Sequence, residues 1–125
     1  MSTRIYHTLD DLEADLRTIA TTFKPRAAAE VRDVARDGNK AGKRLAKVSA
    51  GAHGKHYHKA FSAEALTPLM WEWGPDSAMP QGGMSFEHGS RNQPPHLDLA
   101  KAADVHGADD LQRRIGITLD RLFWP

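Results

Sequence analysis

The stretch SFEHGSRNQPPHLDLAKAAD, residues 85–104, gathers Glu87, His88, Arg91, His96 and Asp98 around a Gly-Ser step and a Pro-Pro pair. Carboxylates beside imidazoles can do two kinds of chemistry. They can exchange protons with a substrate, or they can offer oxygen and nitrogen ligands to a metal ion. The spacing favours neither. His88 and His96 are separated by Gly-Ser-Arg-Asn-Gln-Pro-Pro, which matches no recurrent ligand pattern such as H-E-x-x-H. Consecutive side chains of an extended segment point to opposite sides, so the Glu87-His88 adjacency does not by itself make a pair. A general acid also needs an apolar pocket to raise its pKa, and Phe86 is the one apolar side chain next to Glu87.

A second cluster, His53, His56 and His58 in AHGKHYHKA, could bind zinc, nickel or copper through imidazole nitrogens. No carboxylate is local, and Lys55 and Lys59 add positive charge that opposes a cation. The plainer reading is a partly protonated basic loop, so no metal and no cofactor is expected. Other chemistries lack their residues. There are no cysteines, which excludes disulfides, thiolate zinc sites and a cysteine nucleophile. Gly82-Gly83 lacks the Lys-Ser/Thr and helix start of a phosphate loop, and Ser62, Ser85 and Ser90 sit in no nucleophile-elbow context.

The elements that would hold these residues follow from periodicity. Leu9, Leu12, Leu16, Ile19 and Phe23 repeat at alternating three- and four-residue steps, a helical stripe, and Thr8 with Asp11 is a capping start. Lys24-Pro25 predicts a stop, because a residue before proline is pushed out of helical angles; Pro25 can then open the next helix. The expectation is two helices, about 9–23 and 25–48. The second carries a mostly small apolar face of Ala28, Val31, Val34, Ala35, Ala41, Leu45 and Val48. Gly38 and Gly42 within it mark either a bend or a close contact.

Residues 57–74 read as a β-hairpin, with Tyr57, Phe61, Ala63 and Ala65 on one face, a turn at Thr67-Pro68, and Leu69, Trp71 and Trp73 on the returning strand. Residues 75–96 read as a long loop arm, followed by a short helix at about 97–104 and an amphipathic helix at about 108–123 marked by Leu111, Ile115, Thr118, Leu119 and Leu122. The predicted class is α+β in one domain over residues 1–125: two N-terminal helices, a hairpin with a long loop, and a C-terminal helix packed on a small sheet.

With 125 residues there is room for one modest core, and 40% hydrophobic with 26% charged residues is ordinary for a globular chain. No apolar run is long enough to span a membrane. The N-terminal MSTRIYHTLDDLEADL turns acidic where a secretory signal would turn apolar, which points to a cytoplasmic start. The net charge of +1 conceals a polarity. Between Lys24 and Lys59 ten Lys/Arg face three acids; from Ala60 onward nine acids face five bases; the first 23 residues hold four acids and two bases. A basic face of Arg36, Lys40, Lys43, Arg44 and Lys47, continued by Lys55 and Lys59, suits either a polyanion or head-to-tail packing of identical subunits.

A Lys/Arg-rich helical half, a Gly-Lys-x-Tyr entry at Gly54–Tyr57, an aromatic strand ending at Gly74-Pro75, the Phe86-Glu87-x-Gly89-Ser90 motif, and PPHLDLAKAAD before a final helix occur in that order. This layout resembles the small neck, or tail-completion, proteins of long-tailed bacteriophages (minor tail or head–tail joining proteins), over roughly Lys24 to Trp124. Where that family commonly has a proline, an aspartate and a threonine before the hairpin, this chain has SAGAHGKHY. The resemblance implies a non-catalytic virion protein, assembled in the host cytoplasm and ending in the neck between head and tail. It implies a ring of identical copies that meets the connector or stopper on one side and the tail terminator or tail tube on the other. DNA would pass through the centre and touch the ring transiently. On this reading Phe86, Glu87, Gly89, Ser90, Arg91, Pro94 and Pro95 form a shaped loop or subunit contact, with Gly89 at a positive-φ turn and the prolines holding an extended step. A small nucleic-acid-binding protein using the basic region 26–59 is the alternative.

Overall fold

In the computed structural model, which describes residues 8–52, 54–83, 85–89 and 95–124, a single helix α1 runs from Leu9 to Ala50. Its 42 residues give a rod about 63 Å long at 1.5 Å per residue. Thr8 caps it as expected, its hydroxyl accepting from the Asp11 amide at 3.1 Å. The expected break at Lys24-Pro25 does not occur, and Pro25 lies inside the helix. Proline removes one backbone donor and crowds the preceding turn, but the flank before it carries Leu9, Leu12 and Leu16 at helical spacing and the flank after it is rich in Ala, Arg and Lys, so both favour helix on their own. The two expected helices are therefore one.

Strands β1 (Phe61–Thr67) and β2 (Met70–Pro75) form a two-stranded antiparallel hairpin. Ala63 pairs with Trp73 and Ala65 with Trp71, as the alternation predicts, with an irregularity between Ala65 and Thr67. The hairpin is shorter than its expected span. Tyr57 lies outside it, followed by a 3₁₀ turn at His58–Ala60 that is held by Lys59 N–H to His56 O and Ala60 N–H to Tyr57 O. That turn brings the rings of Tyr57 and Phe61 within 5.3 Å of each other in one core, where a strand would keep them on the same face but about 13 Å apart.

Three helices complete the chain: α2 (Ser85–His88), α3 (Asp98–His106) and α4 (Ala108–Phe123). The expected loop arm 75–96 therefore contains one helical turn, and its described parts lie on their own chain. Asp76 N–H bonds Ala60 O, Gln81 Oε1 accepts from His56 N–H, and Gly82 fits against the Asp76 carbonyl so closely that a Cβ would stand 1.7 Å from that oxygen. α4 runs antiparallel to α1, tied by Arg114 to Asp37 at 2.8 Å and Thr118 to Glu30 at 3.5 Å. Its first turn, at Ala108 and Leu111, also borders Trp71 and Trp73 of the hairpin. The mixed helix-and-sheet class, with a C-terminal helix closing the fold, is as expected.

The core is aromatic on one side and small on the other. Ala46, Ala50, Tyr57, Phe61 and Phe86 form its buried centre, with the Tyr57 and Phe86 rings stacked at 4.6 Å and Phe61 edge-on to Tyr57 at 5.3 Å. The glycines of α1 make room for rings: a Cβ at Gly38 would stand 2.7 Å from Trp73, and one at Gly42 would stand 2.8 Å from Phe61. Of the two meanings open for these glycines, close contact applies, and the partner is an aromatic ring. The buried face of α1 is accordingly rotated toward Gly38, Gly42, Ala46 and Ala50, while Leu45 and Val48, expected inward, are exposed.

Asp110 anchors α4, donated to by Arg113 at 2.7 Å and facing Arg114 at 3.2 Å. Burial alone would raise its pKa, but the hydrogen bonds and charges of the two arginines outweigh burial and hold it below the ordinary carboxylate value. A carboxylate depressed in the folded state stabilises the fold above its unfolded pKa, and that stabilisation is lost as pH falls through the folded pKa. Thermal melts should therefore lose stability below about pH 4. In Asp110→Asn the part of that acid slope due to Asp110 should vanish; an unchanged slope would refute the assignment.

Candidate functional site

Glu87, the centre of the FEHG motif, is buried at the meeting of α2 and α3. Its two carboxylate oxygens accept from the backbone amides of Leu99 at 2.7 Å and Ala100 at 3.1 Å. α3 has no capping side chain of its own at Leu97, which lies in the left-handed region at φ 56°. Glu87 supplies the cap from outside, where an acid also complements the positive end of the helix dipole. Two backbone bonds, His96 N–H to Phe86 O at 2.8 Å and Leu97 N–H to Glu87 O at 3.2 Å, clamp the segments together. Gly89 follows at φ 82°, the positive-φ turn expected there.

A second buried carboxylate completes the arrangement. Asp98 accepts from the Ser49 hydroxyl at 2.7 Å, and Ser49 Oγ lies 2.9 Å from His96 Nδ1. A hydroxyl has one proton; with that proton on Asp98, the imidazole donates from Nδ1 to the serine oxygen. The chain His96–Ser49–Asp98 thus has serine in the middle. A nucleophilic triad needs the imidazole in the middle to take the serine proton, so this order locks α3 onto α1 instead of activating Ser49. The His96 ring also packs edge-on against Phe86 at 5.5 Å.

Tyr57 is fully buried beside these acids, and its hydroxyl oxygen finds no hydrogen-bond partner among the described residues. Burial first, then the charges of Glu87 and Asp98, push its pKa well above the usual tyrosine value. An unpaired buried hydroxyl costs about 1–3 kcal/mol. Tyr57→Phe should therefore match or exceed the parent by up to about 1 kcal/mol in urea unfolding; a clear loss would mean that the hydroxyl is paired.

The other singled-out residues divide into three groups. Phe86 is core, Glu87 is the cap, and Pro95 is exposed just before the clamp, whereas Ser90, Arg91, Pro94 and His53 lie outside the described residues. His88 is exposed. Among the described residues no three His, Asp or Glu side chains converge as a metal cage. The basic side chains Arg36, Lys40, Lys43, Arg44, Lys47, Lys55 and Lys59 are all exposed. Partial burial, then Lys47, Lys59, Lys43 and His56, lower the pKa of His58, so these cations from α1 and from the 3₁₀ turn converge into one positive patch. Arg36 is set apart, its guanidinium 5.4 Å from the Trp71 ring centre. Ser49 and Tyr57 carry no signal in the sequence that marks them as partners of the motif.

No family model, no curated protein and no solved structure matches this chain.

Proposed function

We propose that this chain is a structural virion protein of a long-tailed bacteriophage, a ring-forming neck or tail-completion component joining the head connector to the tail tube. The observation that carries the reading is Glu87. The most chemistry-like residue of the chain has both oxygens occupied by the start of α3, so the FEHG motif works as a brace between elements. The order of motifs resembling neck proteins, and the charge polarity from an acidic start to a basic middle, support the same reading. The protein acts without catalysis or cofactor. Its partners are copies of itself and the neighbouring connector, stopper, terminator or tube proteins, and DNA passes it in the channel. It assembles in the host cytoplasm and ends in the virion. Among the described residues no helix is long and apolar enough to cross a membrane. Deleting the gene from its phage should leave DNA-filled heads and complete but separate tails, seen by negative-stain microscopy. Normal infectious particles from the deletion overturn the reading.

The second reading, a small nucleic-acid-binding protein, is favoured by the convergence of Lys43, Lys47 and Lys59 around His58. It requires duplex binding by the isolated chain that falls steeply with salt. Replacing Lys43, Arg44 and Lys47 by alanine should reduce the log–log salt slope by about 2–3, each phosphate contact contributing about 0.9. Binding that is absent, or insensitive to salt, dismisses it.

A further inference from the structure

Two apolar features lie at one level of α1, on opposite sides of it. The first is a groove of about 570 Å³ between the helix and the tip of the hairpin. Pro25, Ala28 and Ala29 line it from α1, and Ala65, Pro68 and Trp71 line it from the hairpin. Lys24 and Arg32 complete the lining, and among the described residues no acid joins them. The second feature is the end of α4. Trp124 is 79% exposed, the most open aromatic side chain among the described residues, and Ile117 and Phe123 are exposed beside it. The Trp124 amide bonds the Asp120 carbonyl at 2.8 Å, so the residue is held to the last turn of the helix.

The level follows from the contacts that hold α4. Thr118 meets Glu30 and Arg114 meets Asp37, so the last turn of α4 stands beside about residues 24–26 of α1, level with the groove. At 100° per residue, Glu30 and Asp37 point roughly 160° away from the mean direction of Lys24, Pro25, Ala28, Ala29 and Arg32. Asp120 and Trp124 in turn lie roughly 100–140° around α4 from Arg114 and Thr118. The α1 rod therefore stands between a chain's own tip and its own groove, and an indole that fills the groove comes from another copy. The two surfaces match in charge as well as in apolarity. Asp120 is exposed at the tip, where the last carbonyls of α4 carry the negative end of the helix dipole, and Lys24 and Arg32 face them from the groove. Arg121, a step further around α4, is exposed and can stay in solvent. A cation beside the indole face adds to the attraction.

We infer that Trp124, at the end of α4, inserts into the groove between α1 and the hairpin tip of a second copy of this chain. The inference rests on the assembly reading above and names the surfaces that assembly would use. A reciprocal two-fold exchange does not fit, because a copy cannot turn a tip and a groove on its opposite sides toward one neighbour. The contact is therefore heterologous, and it propagates into a closed ring or an open filament. Only the end of α4 and the groove meet, so the face of α1 that α4 covers stays as it is in each copy. One indole brings about 150–250 Å² to the contact, little for a specific interface, so a single contact is weak and closure into a ring reinforces it.

The test uses the full chain in sedimentation velocity over a wide concentration range. The parent should form species larger than a dimer, and raising salt from about 0.05 to 0.5 M should weaken association roughly three- to ten-fold. The tip variant Trp124→Ser removes the indole and should weaken association about thirty-fold or more, as for a buried anchor. The groove variant Ala29→Glu fills the space and sets a carboxylate beside Lys24 and Arg32, and it should associate as weakly. Circular dichroism checks that both remain folded; if Ala29→Glu does not, Pro68→Glu, exposed at the hairpin turn, takes its place. Mixed, the tip variant supplies an intact groove and the groove variant an intact tip, so they should form a 1:1 dimer and nothing larger. A parent that stays monomeric at every concentration overturns the proposal, as does a parent that stops at a dimer. A tip variant that assembles like the parent, or a mixture of folded variants that gives no dimer, overturns it too. The phage deletion reads out separately: separate heads and tails with a monomeric parent sink this contact alone, whereas a mixed dimer with normal particles sinks the neck reading alone.

Discussion

Glu87→Ala should lower the stability of the chain by about 2–4 kcal/mol, the sum expected for two hydrogen bonds to a charged acceptor and the burial of the amides they leave behind. The Leu99 and Ala100 amides would lose their acceptor at the start of a nine-residue helix that has no other side-chain cap. With α3 loosened, Asp98 would no longer be held against Ser49, and the segment clamped through His96 and Leu97 would follow. Glu87→Gln separates shape from charge. The amide keeps one good acceptor oxygen but turns an NH₂ group toward a backbone donor, so it should recover about half of the loss. Asp98→Asn is an independent probe, because it alters the Ser49 link without touching the cap; its cost should be smaller and should add imperfectly to that of Glu87→Gln, since both hold the same helix. Urea unfolding followed by tryptophan fluorescence reads all three. If Glu87→Ala is as stable as the parent, the carboxylate is not a structural cap, and a chemical role for it reopens.

How much of this was legible in the sequence depends on how local each cause is. The Thr8 cap, the α4 stripe, the pairing of the alternating hairpin residues and the Gly89 turn rest on neighbouring residues, and they stand where pattern places them. Pro25 misleads because the local rule concerns one peptide, while the residues on both sides of it carry the helix through. Glu87 misleads for a different reason. Its sequence neighbours offer only Phe86 as an apolar wall, but the wall is completed by Tyr57, thirty residues before Glu87, stacked on Phe86. The amides that claim its oxygens come twelve and thirteen residues later. The identity of those partners is a property of the fold, invisible to a reading that sees only spacing. The same holds for Leu45 and Val48: the helical period gives a face, but the position of the aromatic rings decides which side of α1 is buried.

Two glycine-to-alanine replacements in helices should move stability in opposite directions, which isolates that effect of the rings. Alanine favours a helix interior over glycine by about 1 kcal/mol, through backbone entropy that glycine loses on folding. At Gly116, in the middle of α4, an added Cβ would meet no atom within 4 Å. Gly116→Ala should therefore raise stability by about 0.5–1 kcal/mol, propensity acting alone. At Gly42 the same methyl would stand 2.8 Å from Phe61 Cε2 and 3.5 Å from the Ala102 methyl. Phe61 is 4% exposed and locked against Tyr57, so it cannot swing out to make room. Overpacking of this kind costs about 1–3 kcal/mol, enough to cancel the propensity gain and leave a net loss. Gly38→Ala should fall between the two, because the ring it would strike, Trp73, is half-buried and has an edge toward solvent. Enlarging the side chain separates the sites further. Gly42→Val adds a second clash with β-branched stiffness and should cost more than Gly42→Ala, whereas Gly116→Val should stay near neutral. Equal shifts at Gly42 and Gly116, measured as midpoints of thermal unfolding, would mean that Phe61 does not lie against α1. The small-residue face of the long helix would then need another occupant.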